Sequence, residues 1–313
     1  MTPEQRFQYL MMGIGALLGL STVVGMVLKA RVKTDAGLAV VQNLNARIRA
    51  WWVMVSIFAF TFLLGNVATL VLFGLISFLA MREYLSLTPT NPGDRAALSV
   101  AFFVLVPVQY WLVGTDWYGL FSVFLPVYAF LLLPALSALG EDTDEFLERN
   151  ARLQWGVMVT VFCLSHVPAL LLLDIEGYEG NATLIFFLLL VVQLSDVFQY
   201  ICGKLFGRTK VAPVVSPSKT LEGLLGGGLI ATAIGAAMWW ITPFTFLQAA
   251  GMSLVIVLMG FLGGLVLSAV KRSLGAKDWG TMIQGHGGML DRMDSVCFAA
   301  PVFFHLTRYW FHG

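Results

Sequence analysis

The chain has 313 residues, 58% of them hydrophobic and 12% charged, with a mean hydropathy of +0.82. Soluble domains carry about 25% charged residues, so too little polar surface remains here for a water-facing shell, and a soluble globular class is excluded. A net charge of +1 without a basic tail or basic domain gives no sign of nucleic acid, which is not expected as a partner. The fold class expected is therefore all-α, a polytopic integral membrane protein of about nine or ten transmembrane helices. The first apolar run, residues 7–28, is long enough to cross the hydrocarbon core. It outlasts a signal-peptide core and lacks a small-residue cleavage site, so it reads as a retained helix. Residues 50–80 form an apolar run interrupted at Gly65 and Asn66. This is either one overlong helix or a hairpin of two arms of about fifteen residues, short of the usual twenty. Further spans are expected over residues 97–114, 117–139, 155–173, 182–202, 223–241, 247–270 and 295–310. Cys163, Cys202 and Cys297 are scattered through apolar runs and form neither a disulfide framework nor a zinc-ligand pattern.

Charge decides between the two readings of 50–80. Cytoplasmic loops carry the excess of lysine and arginine. Segment 29–49 holds Lys29, Arg31, Lys33, Arg47 and Arg49 against Asp35, whereas segment 174–181 holds Asp174, Glu176 and Glu179 with no base. Segments 203–222 and 271–294 are again rich in bases. The loops alternate only if 50–80 is a hairpin, with both termini outside. Two regions follow: a transmembrane part of unassigned role over 1–154, and a part over 155–313 that carries the motifs. Segments 203–222 and 271–294 flank the paired spans 223–241 and 247–270, so a helical hairpin brings them together at the inner surface.

The chemistry-bearing residues fall in or just ahead of those two segments. The second, preceded by Ser268, contains Lys271, Arg272, Lys277, Asp278, then Gly285-His286-Gly287-Gly288 and Asp291-Arg292-Met293-Asp294. Glycines let a backbone approach a ligand and present its N–H groups to phosphate oxygens. Lysine and arginine neutralise phosphate, arginine often through two parallel bonds. Asp291 and Asp294 lie three apart, on one face of a helix. With Asp278 they offer carboxylates for a divalent ion that takes its remaining ligands from substrate phosphates. Ahead of the first segment stands Asp196, placed inside an apolar span where an ionisable group is costly and faces a cavity, ion or partner. The chain continues through Gly203-Lys204, Gly207-Arg208 and Ser216-Pro217-Ser218-Lys219-Thr220-Leu221-Glu222-Gly223. Thr220 or Ser216 is expected to cap the following helix. Gly226, Gly227 and Gly228 are expected to serve close helix packing, because they do not complete a P-loop.

With these residues in place, the sequence resembles the phosphatidate cytidylyltransferase family, also called CDP-diacylglycerol synthases. The signature positions are filled by Ser268, Lys271, Arg272, Lys277, Asp278, Gly280, Ile283, Gly285, His286, Gly287, Gly288, Asp291, Arg292 and Asp294. The upstream pattern is filled by Asp196, Gly203, Lys204, Gly207, Arg208, Ser216, Pro217, Lys219, Thr220, Glu222 and Gly223. Three positions depart from it: Gln284 stands where the family has proline, Leu221 where it has tryptophan, and Gln199 where it has a small residue. The motif-bearing similarity covers residues 196–294, and the N-terminal half matches only in being hydrophobic.

The resemblance implies transfer of a cytidylyl group from CTP to phosphatidate or a related lipid phosphate, releasing pyrophosphate. It implies Mg²⁺, with room for a second cation, held by Asp278, Asp291 and Asp294 with Asp196 as a further ligand. Lys271, Arg272, Lys277, Arg292 and His286 are then expected as catalytic residues. Ser216, Lys219, Thr220, Glu222, Gly287 and Gly288 are expected to bind substrate. The partners implied are CTP, the lipid phosphate and the bilayer of a bacterial-type inner membrane, with the site facing the cytoplasm and a homodimer compatible with all of these. An Asp291→Asn variant is expected to keep its fold and lose turnover. A transporter would repeat polar residues across symmetric halves, which the sequence does not do. A CTP-using polyprenol kinase would release CDP instead of pyrophosphate, and the motif of a CDP-alcohol phosphatidyltransferase is absent.

Overall fold

A computed structural model describes residues 2–283 and 287–312. Within them, continuous spans form ten helices and one short β-hairpin. In chain order these are α1 (Pro3–Arg31), α2 (Asp35–Leu63), α3 (Asn66–Leu87), α4 (Pro92–Gly114), α5 (Tyr118–Ala138), α6 (Phe146–Leu172) and α7 (Ala182–Phe206). The hairpin strands β1 (Lys210–Ala212) and β2 (Ser216–Thr220) follow, then α8 (Leu221–Ala237), α9 (Phe246–Ser273) and α10 (Met289–Phe311). Eight of the helices among the described residues are long and apolar enough to cross a membrane, α8 being shorter at 17 residues and α10 opening on Asp291, Arg292 and Asp294. The protein is an all-α polytopic membrane protein.

The run 50–80 is a hairpin, turned at Gly65, whose φ of +94° suits a residue without a Cβ. Its arms are far longer than fifteen residues: α2 has 29 and α3 has 22. The added length comes from segment 29–49, which is not a loop. Thr34 caps α2, its Oγ1 accepting the Gly37 N–H at 3.3 Å, and the helix runs through Arg47 and Arg49 without interruption. Only residues 32–34 separate α1 from α2. The division expected at residue 154 falls inside α6.

Polar contacts assign the ends of the bundle. Arg6 stacks over the Tyr178 ring at 4.8 Å, and the Asp174 N–H donates to His312 Nδ1 at 3.1 Å. Both chain termini and the acidic 174–181 loop thus share one end. The β-hairpin, the C-terminal ends of α3 and α9 and the start of α10 occupy the other. The interior is built from side chains such as Phe73, Met81, Leu164, Phe187 and Phe303, all fully buried. Large apolar residues on the outer helices, Leu20, Leu63 and Val67 among them, are exposed, as lipid permits.

Helices α7 and α8 meet backbone to backbone, which fixes Asp196 relative to the hairpin. A Cβ at Gly223 would lie 2.7 Å from the Gln199 carbonyl oxygen, and one at Gly227 would run into the Gln199 backbone. The glycines therefore pack helices, as their apolar context suggests. Gly227→Ala must push α7 and α8 apart, and overpacking of this kind costs about 2 kcal/mol. Its melting temperature in detergent is expected to fall well below that of Gly226→Ala, whose new methyl meets only the Cys202 side chain at ordinary distance. Equal melting of the two variants would contradict this packing.

Candidate active site

The hairpin and the start of α8 make a frame around one lysine. Strands β1 and β2 pair antiparallel, Lys210 opposite Thr220 and Ala212 opposite Ser216. Ser216 is buried in this pairing, and Thr220, not Ser216, caps α8 by accepting the Gly223 N–H at 3.1 Å. Thr220 is itself buried against Gly203 and Gly207. The Glu222 carboxylate accepts the N–H groups of Arg208 and Thr209 at 3.0 Å, closing the connection between α7 and β1. Lys219 is left to reach across to α9. Its Nζ donates to the Phe261 carbonyl at 3.1 Å, sits over the Phe261 ring at 4.6 Å and occupies the space left by Gly264. Burial lowers the Lys219 pKa from the ordinary lysine value, and the Asp196 and Asp294 carboxylates oppose that shift.

Those two carboxylates come from α7 and α10 and meet at one serine. Buried Ser295 lies with its hydroxyl 3.2 and 3.3 Å from the two oxygens of Asp196. Its N–H donates to Asp294 Oδ1 at 2.7 Å, and its hydroxyl is 3.3 Å from the same oxygen. Asp196 remains exposed and Asp294 half-buried, so both keep oxygen lone pairs open to a ligand. Arg292 lies close enough to act on both carboxylates through its charge, and its Nε is buried without a hydrogen-bond partner among the described residues.

Asp291 is engaged elsewhere. Its Oδ1 is 2.7 Å from Lys271 Nζ, and its Oδ2 accepts the N–H groups of Trp279 at 2.8 Å and Gly288 at 2.9 Å. Gly287 has φ +81°, and the Gly287 carbonyl accepts the Ile283 N–H at 2.8 Å. Arg272 is exposed at the end of α9 and donates to the carbonyls of Val215 at 3.4 Å and Ala276 at 3.1 Å, joining hairpin to loop. Lys277 and Asp278 are exposed. His286, expected to be catalytic, lies outside the described residues. Distant segments thus converge: Asp196, Lys219, Arg292 and Asp294 around Ser295, with Lys271 and Asp291 paired beside them.

A family model described as the cytidylyltransferase family matches residues 45–310. The chain belongs to that family. This cytidylyltransferase is 41% identical over 301 residues to the uncharacterized protein YnbB of Escherichia coli (strain K12), covering 94% of this chain and 96% of that one. It is 29% identical over 270 residues to a phosphatidate cytidylyltransferase of Bacillus subtilis (strain 168), covering 84% and 97%. Another phosphatidate cytidylyltransferase, of Staphylococcus aureus (strain COL), is 36% identical over 154 residues, covering 48% and 59%. The match extends well N-terminal of the motifs, so the first half shares more with the family than hydrophobicity. The chain is a nucleotidyltransferase.

For the metal that such an enzyme implies, the test is the donor set. Among the described residues no group of three or more histidine, cysteine, aspartate or glutamate side chains could hold an ion. The four aspartates expected as ligands do not gather: Asp196 and Asp294 meet, Asp291 faces Lys271, and Asp278 is exposed. Two carboxylates still fit Mg²⁺, which keeps waters and substrate phosphates in the rest of its octahedron. Sequence reasoning missed Ser295, which carries the junction, Gly264, which makes room for Lys219, and Glu83, which accepts N–H groups at the start of α10.

Proposed function

We propose that this cytidylyltransferase transfers the cytidylyl group of CTP to phosphatidate, or to a lipid phosphate closely related to it. One observation carries the reading: a lysine, an arginine and two carboxylates from three distant segments meet around Ser295 where the polar loops leave the apolar bundle. Two anions must approach each other in this reaction, so charge neutralisation is the main task. Asp196 and Asp294 would hold Mg²⁺, which when bound supplies the charge that draws phosphate oxygens together. Lys219 and Arg292 offer cations to the triphosphate, and the unpartnered Nε of Arg292 leaves a donor for it. A lipid phosphate oxygen attacks the α-phosphorus in line, the bond from that phosphorus to the bridging oxygen of the β-phosphate breaks, and pyrophosphate leaves. No covalent enzyme intermediate is needed, because the lipid phosphate is already a nucleophile. Exposed Lys277, Asp278 and Arg272 at the rim face the side from which CTP arrives, which this reading makes the cytoplasm.

The test incubates purified protein with radiolabelled CTP, Mg²⁺ and a panel of lipid phosphates and alcohols. The expected result is cytidine on phosphatidate, or on one relative of it, with one pyrophosphate per transfer. Release of CDP with phosphorylation of an alcohol would overturn the reading.

A further inference from the structure

The half of the chain without recognisable motifs reaches the site through Glu83, one turn from the C-terminal end of α3. Its Oε1 accepts the Met289 N–H at 2.8 Å and its Oε2 the Leu290 N–H at 2.9 Å, so one carboxylate holds two of the free donors at the start of α10. Asp291 takes a third, the Gly288 N–H. Two loop glycines make the approach possible: a Cβ at Gly280 would lie 2.8 Å from Glu83 Oε1, and one at Gly288 would overlap the Glu83 carboxylate. The neighbouring Tyr84 packs its ring on buried Trp279 with centroids 5.5 Å apart and donates its hydroxyl to the Arg152 carbonyl at 3.0 Å. Helix α3 is thereby fastened to α6 on one side and to the loop between α9 and α10 on the other.

We propose that Glu83 is a positioning residue that fixes the axial placement of α10, and through it Asp294 and Arg292, for the nucleotidyl transfer on whose proposal this inference rests. Leu290 and Asp294 are separated by about one helical turn, a rise of roughly 6 Å. A carboxylate gripping Leu290 from α3 therefore sets where the Asp294 carboxylate meets Asp196 of α7 across Ser295. A negative charge at this end also suits the helix dipole. Because Glu83 and Asp291 take three of the four first-turn donors from within the protein, the start of α10 has little left to offer a substrate phosphate. Lys219 and Arg292 are left to meet it.

The experiment compares wild type, Glu83→Ala and Glu83→Gln as purified full-length protein, by amide hydrogen exchange at Met289 and Leu290 and by kcat and KM for CTP. In Glu83→Ala those amides are expected to exchange faster, with kcat down about 100-fold. Its KM is expected to stay within about threefold, the pattern of a displaced reacting group with binding retained. Glu83→Gln keeps one acceptor oxygen and should fall between the two. Unchanged exchange in Glu83→Ala overturns the proposal, and so does faster exchange with wild-type kcat. An inactive wild type whose α10 amides loosen in Glu83→Ala would instead overturn the nucleotidyl-transfer reading while leaving the brace in place.

Discussion

Asp291→Asn is expected to lose about 3 kcal/mol of stability, contrary to the sequence expectation that this variant keeps its fold. Asp291 and Lys271 are both 8% exposed and lie 2.7 Å apart. Removing one partner of such a pair leaves the other charge buried without compensation, which costs more than the pair itself contributes. Asparagine cannot serve both sides of the site. Its single oxygen faces either the ammonium of Lys271 or the N–H groups of Trp279 and Gly288, and its NH₂ then confronts the other donors. Lys271→Met with Asp291→Asn removes the stranded charge, so the double variant is expected to melt above the Asp291→Asn single variant. Thermal unfolding of the three proteins in one detergent decides it. Wild-type melting of Asp291→Asn would rule out the structural role assigned to the pair.

The spans were legible because lipid leaves the chain few options: an apolar run of about twenty residues must close its hydrogen bonds within itself. The hairpin at Gly65 was legible for a second reason, the alternation of basic and acidic loops. What hid the true length of α2 was charge. Arg47 and Arg49 read as loop residues under a rule that counts bases, yet an arginine stem can lie along an apolar helix with its head in a polar layer. The hairpin strands β1 and β2 left no signal at all. Strands of three and five residues carrying Lys219, Ser218 and Pro217 show no alternation, and they form because Thr220 and Glu222 pin the chain on either side of the turn.

Residue types in the site were legible and their partners were not. Spacing of three puts Asp291 and Asp294 about 60° apart around a helix, which sequence reasoning treats as one face. In a crowded helix end that angle is enough to divide them, one toward Lys271 and the other toward Ser295 and Asp196. Asp291 completes the loop by bonding Trp279 and Gly288, a job that any motif alignment would score the same as metal binding. Glu83 lies 206 residues before Met289 and had only one sign to offer: an acid beside Arg82 at the end of an apolar run, where a charge without a partner is costly.

Asp294→Asn and Asp196→Asn are expected to behave oppositely to Asp291→Asn, remaining folded while losing about 10³-fold in kcat, roughly 4 kcal/mol of transition-state stabilisation. Asparagine keeps an oxygen that can accept the Ser295 N–H in the first case and the Ser295 hydroxyl in the second, so the contacts that hold α7 against α10 survive. What each substitution removes is a negative charge at the only place among the described residues where two carboxylates share one hydrogen-bonding serine. If both aspartates hold one cation, either loss empties the same site, and the double variant should be little slower than either single one. Ser295→Ala leaves both charges and removes only the hydroxyl between them, so a smaller loss of about tenfold is expected, with the Mg²⁺ requirement shifted upward. The decisive measurement is kcat across a Mg²⁺ titration beside the melting curve of each variant. Wild-type turnover by folded Asp294→Asn at saturating Mg²⁺ would remove Asp294 from the metal site and with it the role of the Ser295 junction.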